Sequence, residues 1–232
     1  MRITHQLAAA AVVAALATVG GCTGGHDSQQ RELTPVQRLA AAKTTLDQAS
    51  TVHLTLTSQG VPSGVSGVTA ADGVGAHPPA FKGTFKVTLR GIPADAELTS
   101  VGGEVWAKLP FVPGTTKIDP KTFGIPDPAV LFSPDKGLTN LLPQTQRPTA
   151  GTQTRKGSEV LTPISGTLPG RAVYDVFMMG DANGTFQATY SLTAANQLRD
   201  VTLTGPFFGS GSTSTYSLAL DQYNQPVTIT KP

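Results

Sequence analysis

"FKGTFKVTLRG", residues 81–91, alternates without a break: Phe81, Phe85, Val87 and Leu89 stand against Lys82, Thr84, Lys86 and Thr88. A period of two places successive side chains on opposite faces, so this is a strand with one apolar face and one wet face. The same pattern recurs outward in both directions. In "STVHLTLTS" (50–58), Val52, Leu54 and Leu56 oppose His53, Thr55 and Thr57. "AELTSVGGEVWAKLP" (96–110) reads as two strands joined by a short turn at Gly102-Gly103. "TFQATYSLT" (185–193) puts Phe186, Ala188, Tyr190 and Leu192 on one face. "LRDVTLTG" (198–205) sets Leu198 apart from Val201 and Leu203 by an irregularity, and "STSTYSLALD" (212–221) and "PVTITKP" (226–232) alternate again. "KGSEVLTPISGTLPG" (156–170) reads as strand broken by prolines, and "AVYDVFMM" (172–179) as strand running into the turn "GDANG" (180–184).

Two stretches follow a helical rule instead. In "TPVQRLAAAKTTLDQAS" (34–50), Thr34 and Gln37 form a capping box and Pro35 suits the first turn. Val36, Leu39, Ala42 or Lys43, and Leu46 share one face. "KIDPKTF", "PDPAVL" and "SPDKGLTNLL", between 117 and 142, each open on Asp-Pro or Ser-Pro, the signature of short helices. Asp119, Asp127 and Asp135 are their expected caps or first-turn residues. The stretch 60–79, "GVPSGVSGVTAADGVGAHPP", reads as a long loop, and 143–154 as a polar link.

The sum is an α+β fold: a single large bent antiparallel sheet, wet on its outside. Helices must cover the concave face, because an apolar face cannot be left to water. A curled sheet so covered has room to enclose a cavity.

The chain's beginning is of another kind. Residues 7–19, "LAAAAVVAALATV", follow one positive charge and are too short to span a bilayer, which needs about 20 apolar residues. This is the layout of a secretory signal peptide over 1–21. "VGGC" at 19–22 resembles a bacterial lipobox, which implies diacylglycerol on the sulfur of Cys22, cleavage before it, and acylation of the new N-terminus with a chain such as palmitate. Cys22 is the only cysteine, so an intramolecular disulfide is excluded. Residues 22–33 then read as a lipidated tether, and 34–232 as one domain.

Little points to catalysis. Charged residues are 14% of the chain and the formal net charge is +2, without a basic patch bearing stacking aromatics, so a nucleic-acid partner is set aside. His5, His26, His53 and His77 lack metal-ligand spacing, and His53 sits on a polar strand face as a solvated side chain. No G-x-S-x-G, Walker A or G-x-G-x-x-G occurs. We expect no enzyme, metal or cofactor. "NGT" at 183–185 matches a glycosylation sequon but reads better as a turn. Trp106 faces outward with Glu104 and Lys108, which suits either a membrane or partner contact or packing under a loop.

"VGGC", "DGVGAHPPAFKG" (72–83), "EVWAKLPF" (104–111), "IDPKTFGIPDPAVLF" (118–132), "GLTNLLP" (137–143), "LTPISGTLPG" (161–170) and "LTGPFF" (203–208) together resemble the mycobacterial LppX/LprA/LprF/LprG lipoproteins. The resemblance implies a half-barrel like that of the LolA/LolB lipoprotein carriers, with a hydrophobic cavity that takes acyl chains of envelope lipids. The implied cargo is a triacylated glycolipid or another long-chain envelope lipid, carried from the plasma membrane towards the outer envelope. The implied location is the extracytoplasmic face of the cell membrane, held through Cys22, with a membrane exporter acting upstream. The candidate pocket residues are the inward strand positions Leu54, Leu56, Phe85, Val87, Leu89, Phe186, Tyr190 and Leu192, with Leu138, Leu141 and Leu142 from the cover. The rival reading is a non-transporting surface lipoprotein that acts as a sensor or protein-interaction module.

Overall fold

Thr34 starts the first helix as its sequence dictates. Its hydroxyl accepts from the Gln37 amide at 3.3 Å, and the Gln37 side chain accepts from the Thr34 amide at 2.9 Å. Helix α1 (Pro35–Asp47) buries Leu39, Ala42 and Leu46, while Val36 stays exposed. Lys43 bonds Asp47, the Pro134 carbonyl and the Thr139 hydroxyl, tying α1 to the short helices beside it. The computed structural model describes residues 32–89, 91–110 and 112–232, of which Leu33–Pro232 form one compact unit. The expected signal peptide 1–21, Cys22 and nearly all of the tether 22–33 lie outside the described residues.

The strands are β1 (Thr51–Gln59), β2 (Gly67–Ala76), β3 (Ala80–Leu89), β4 (Ile92–Val101), β5 (Glu104–Lys108), β6 (Thr116–Ile118), β7 (Gln146–Ala150), β8 (Thr154–Lys156), β9 (Glu159–Pro169), β10 (Thr185–Leu192), β11 (Leu198–Gly205) and β12 (Ser214–Asp221). They form one open antiparallel sheet in the order β6-β5-β4-β3-β2-β1-β12-β11-β10-β9-β7, with β8 beside β9. Two meanders therefore meet at a central seam, where β1 pairs with β12 through His53↔Asp221 to Gln59↔Thr215. Gly102 and Gly103 turn the β4–β5 hairpin with φ of 61° and 74°, the left-handed pair that a two-residue turn requires. Register shifts at Val68/Ala70, Gln146/Thr149 and Ser191/Leu192 are the bulges that bend the sheet. The last of these is the irregularity expected between Leu198 and Val201.

The chain crosses from edge strand β6 to edge strand β7 over the concave face. This crossing carries 3₁₀ turns at Pro120–Phe123, Pro128–Phe132 and Leu138–Asn140, then α2 (Leu141–Gln144). Asp119 and Asp127 cap the first two turns, accepting from the amides of Lys121 and Ala129. Asp135 caps nothing: it lies in the turn before Gly137, the N-cap of the third.

The structure corrects several expectations. Half of the supposed loop 60–79 is strand β2. Its inward positions are Val68, Ala71, Gly73 and Gly75, and their small side chains erase the apolar alternation. "AVYDVFMM" is not a strand: Gly170–Phe177 is helix α3, burying Ala172, Val173 and Val176 and pairing Arg171 with Asp175 four residues on. Its β-branched and aromatic residues imitate a strand, but only the helical spacing buries one face. Strand β9 runs unbroken through Pro163, which falls between the part paired to β8 and the part paired to β7. The polar link 143–154 contains α2's end and edge strand β7, which tolerates Pro148 because it is an edge. "PVTITKP" joins no strand, and Val227 is exposed.

Candidate functional site

The two halves of the concave face are covered differently. Over β9–β12 lie α1, α2 and α3, and the space is filled. Leu39, Leu141, Leu142, Ile164, Leu168, Phe186, Tyr190, Leu192, Leu198 and Val201 are each no more than 1% exposed. Tyr190's hydroxyl meets that of Thr145 at 3.0 Å, and burial pushes its pKa up to about 12. Over β1–β5 the cover is the proline-rich segment 124–131, and the space beneath it is not filled.

Two adjoining chambers remain there. The inner one, about 120 Å³, is lined by Leu54 and Leu56 of β1, Val68 and Ala71 of β2, Phe81 and Phe85 of β3, and Leu203, Tyr216 and Leu218 across the seam. Ile125, Pro126, Pro128 and Leu131 roof it, and Phe177, Met179 and Phe207 complete it. The outer one, about 240 Å³, continues past Phe85 to Val87, Ala96, Leu98, Leu109, Ile118 and Phe123. Val68, Phe85, Ile125, Met179 and Phe207 belong to both walls, so the two are compartments of one cleft.

The inner wall is dry by construction. Its one side-chain polar atom is the Tyr216 hydroxyl, which donates to the Val68 carbonyl at 3.0 Å. Burial pushes that phenol up to about 12, so it stays a neutral donor. Pro126 and Pro128 bring no amide N–H to the roof, where an unpaired donor would be costly. Asp127 between them accepts from the Ser100 hydroxyl on β4 and from the Ala129 amide, pinning the roof to the sheet.

Glycines set the floor. A Cβ on Gly75 would stand 2.1 Å from the Phe132 ring, and one on Gly73 would stand 2.5 Å from Phe81. The two rings therefore lie directly on the backbone of β2, stacked with centroids 6.0 Å apart, and Phe85 follows at 5.5 Å from Phe81. They close one end of the cleft. The other end faces the connections 60–66, 112–115, 178–184 and 206–213.

Of the residues expected to line a pocket, Leu54, Leu56 and Phe85 border the inner chamber, and Phe85 and Val87 the outer one. Leu89 closes β3, and its side chain lies outside the description. Leu138, Leu141, Leu142, Phe186, Tyr190 and Leu192 belong to the filled core instead, because α1 and α2 leave no space over that half. Sequence reasoning missed Val68 and Ala71, hidden in the misread loop, and Met179 and Phe207, which sit in loops without periodicity. The apolar pairs "MM" and "FF" in otherwise polar turns were the available signal.

The convex face carries two wider hollows with charged walls, about 620 Å³ beside Lys156, Glu159, Arg199 and Asp221 and about 420 Å³ beside Lys86, Asp95, Glu97 and Lys108. Trp106 is half-buried there, paired in register with Thr99 and Lys117 and away from both chambers. His53 is not a free solvated side chain. Its Nδ1 lies 2.7 Å from Asp221 and its Nε2 3.2 Å from Asp72. Burial alone would lower its pKa, but the bonds to Asp221 and Asp72 outweigh it and hold it above 6.5. Among the described residues no cluster of three or more His, Cys, Asp or Glu is placed to hold a metal.

The profile of the LppX/LprAFG lipoproteins matches residues 34–229, which is the whole sheet with its cover. This chain belongs to that family. The lipoarabinomannan carrier protein LprG of Mycobacterium tuberculosis H37Rv is 29% identical over 227 residues, covering 96% of this chain and 93% of LprG, and LprG of Mycobacterium bovis BCG matches equally. Among solved structures, LprF from M. bovis superposes with a TM-score of 0.71 at 17% identity, over 85% of this chain and 96% of LprF. LppX from M. tuberculosis gives 0.63 at 16%, over 84% and 98%. The fold is thus the family's half-barrel, an open bent sheet rather than a closed barrel. Membership places the chain among the lipid-binding lipoproteins of the cell envelope, which are not enzymes.

Proposed function

We propose that the protein takes the acyl chains of an envelope lipid or glycolipid into the cleft under residues 124–131 and carries them from the plasma membrane towards the outer envelope. The observation that carries this reading is the dry inner wall, whose single polar side-chain atom is already bonded within the protein. An acyl chain moving from a bilayer into such a wall exchanges one apolar surrounding for another, so transfer is near neutral and reversible. The polar head group stays at the outer chamber, whose rim adds Ser66, Thr88 and the backbone of Gly124 and Gly180. LprG, named a lipoarabinomannan carrier, supports a glycolipid as the cargo class. In this reading residues 1–21 are removed, Cys22 is acylated, 22–33 tether the domain 34–232 to the extracytoplasmic face, and an exporter supplies the cargo.

The test is mass spectrometry of lipid co-purifying with residues 26–232 made in a mycobacterial host. We expect stoichiometric di- or triacyl lipid. Ala71→Phe places a ring in the inner chamber and is expected to abolish the lipid while the protein stays folded. A lipid-free, folded wild-type protein would overturn the proposal and leave the sensor or interaction module.

A further inference from the structure

The sheet's meander gathers its connections at two opposite ends. At one end lie 60–66, 112–115, 178–184 and 206–213, cross-linked by Ser214 Oγ to the Gly60 carbonyl at 2.8 Å and by the Asp181 amide to the Pro206 carbonyl at 3.0 Å. The cleft opens here. At the other end lie the turns 77–79, 102–103 and 193–197. The start of α1 is fixed there by Arg38, which donates to Asn196 and to the Thr193 carbonyl at 2.8 Å each.

Of the ten large apolar side chains exposed among the described residues, five belong to segments near the open end, while Leu33, Val36, Val160 and Val227 lie away from it. Ile92 is 69% exposed, Phe123 51%, Val112 43%, Tyr174 41% and Met178 37%. Phe123, Met178, Ile92 and Val112 come from separate segments, yet each adjoins the cleft. Phe123 lines it, Met178 precedes Met179, and Ile92 pairs with Leu89 at the hairpin tip beside the lining residue Thr88. Val112 closes a turn on the lining residue Leu109. Arg171 lies over the Tyr174 ring at 5.9 Å, a pairing of amphipathic side chains suited to a bilayer interface. An exposed apolar ring around a cavity mouth marks a contact surface.

We propose that this rim docks on the lipid bilayer, so that the mouth of the cleft meets the membrane surface while the start of α1 points away from it. The covalent reach allows it. Ten residues separate Cys22 from Leu33, and ten extended residues span about 33–36 Å. The ten-residue strands β2 to β4 are about 33 Å long. The anchor therefore lets the mouth reach the bilayer to which the chain is fixed. The proposal rests on the carrier reading for the anchor at Cys22.

The test uses the acylated chain in phosphatidylcholine–phosphatidylglycerol vesicles. Cys22 is the only cysteine, so Ile92→Cys, Val112→Cys and Phe123→Cys each add a single free thiol for an environment-sensitive fluorophore. Val36→Cys and Val160→Cys report on the opposite end. We expect a blue shift and quenching by spin-labelled lipid at 92, 112 and 123, with 36 and 160 quenched only by iodide. Iodide quenching at 92, 112 and 123 overturns the proposal, as does lipid contact at 36 instead. So does shielding at 92, 112 and 123 from both quenchers, which would mean a second copy covers the rim. The same labels on Cys22→Ser chains mixed with the vesicles read the rim without the anchor, and the same blue shift is expected there. Lipid in the cleft with the rim in water would sink docking alone; an inserted rim with an empty cleft would sink carriage alone.

Discussion

The β9–β12 half and the β1–β5 half of this sheet obey the same alternation, yet one is solid and the other hollow. The difference lies in what faces each. Over β9 and β10, three helices bring Leu39, Leu141, Leu142 and Val173 into a filled core, and only Leu203, Tyr216 and Leu218 of β11 and β12 reach the inner chamber. Over β1–β5, a proline-rich strap roofs the sheet with Ile125, Pro126, Pro128 and Leu131, and β2 answers it with Ala71, Gly73 and Gly75. A cavity in a close-packed protein needs such a deficit on both sides, because normal interiors leave few voids. Thus the filled half supplies stability and the hollow half is free to hold something else.

The sharpest way to break this comparison is truncation in both halves. Leu141→Ala removes a side chain with no exposure, and we expect a loss of about 2–5 kcal/mol in chemical denaturation. Leu56→Ala, on the wall of an existing chamber, is expected to cost about 1 kcal/mol, since the removed methylenes were incompletely packed. Equal losses would mean that the hollow half is as tightly built as the solid one.

The next largest effect is at the floor. Gly75→Val places atoms where the Phe132 ring lies, and overpacking of this kind costs about 1–3 kcal/mol. The ring must lift, which narrows the inner chamber. We expect both a lowered Tm and less bound lipid. An unchanged Tm would show that Phe132 does not rest on the backbone of β2.

Much of the architecture was legible because alternation survives wherever a strand packs large side chains on one face. The strands β1, β3 and β10–β12, the capping box at Thr34, the Gly102-Gly103 turn and the bulge near Leu198 all declare themselves. Legibility failed where function removed the signal. Strand β2 cannot show apolar alternation and also leave room for rings, so its inward glycines read as loop. Helix α3 is short and rich in Val, Tyr and Phe, so propensity argued against it while burial of Ala172, Val173 and Val176 decided it. The site was half-legible for a related reason. Inward-facing residues can be picked from sequence, but which of them a helix covers is a tertiary fact. Leu54, Leu56, Phe85 and Val87 reached the cleft, whereas Phe186, Tyr190 and Leu192 went to the core.

A smaller effect is expected at the strap. Asp127 both caps the turn Pro128–Phe132 and accepts from Ser100. Asp127→Ala should cost about 1 kcal/mol, the usual value of a lost cap. It should also speed hydrogen exchange at Ala129 and Val130 more than at Leu141 or Leu142. Lipid exchange between vesicles should quicken in the same variant. Uniform exchange across both halves would show that the strap is no looser than the helices.

The smallest expected effect tests the seam where the halves meet. His53 of β1 bridges Asp221 of β12 and Asp72 of β2, contacts that only the imidazolium satisfies at both nitrogens. Its folded pKa is raised, so the folded state holds this proton more tightly than the unfolded chain. The stabilisation is fully present below about 6.5, the unfolded value, and is lost as pH rises through the folded pKa. With both carboxylates well exposed, the loss should stay under about 1 kcal/mol. Denaturation midpoints at pH 5.5 and 8.5 should therefore differ more for the wild type than for His53→Gln. If the two proteins show the same difference, the seam is held by its ladder and its apolar face alone, and the solid and hollow halves are joined without an electrostatic clasp.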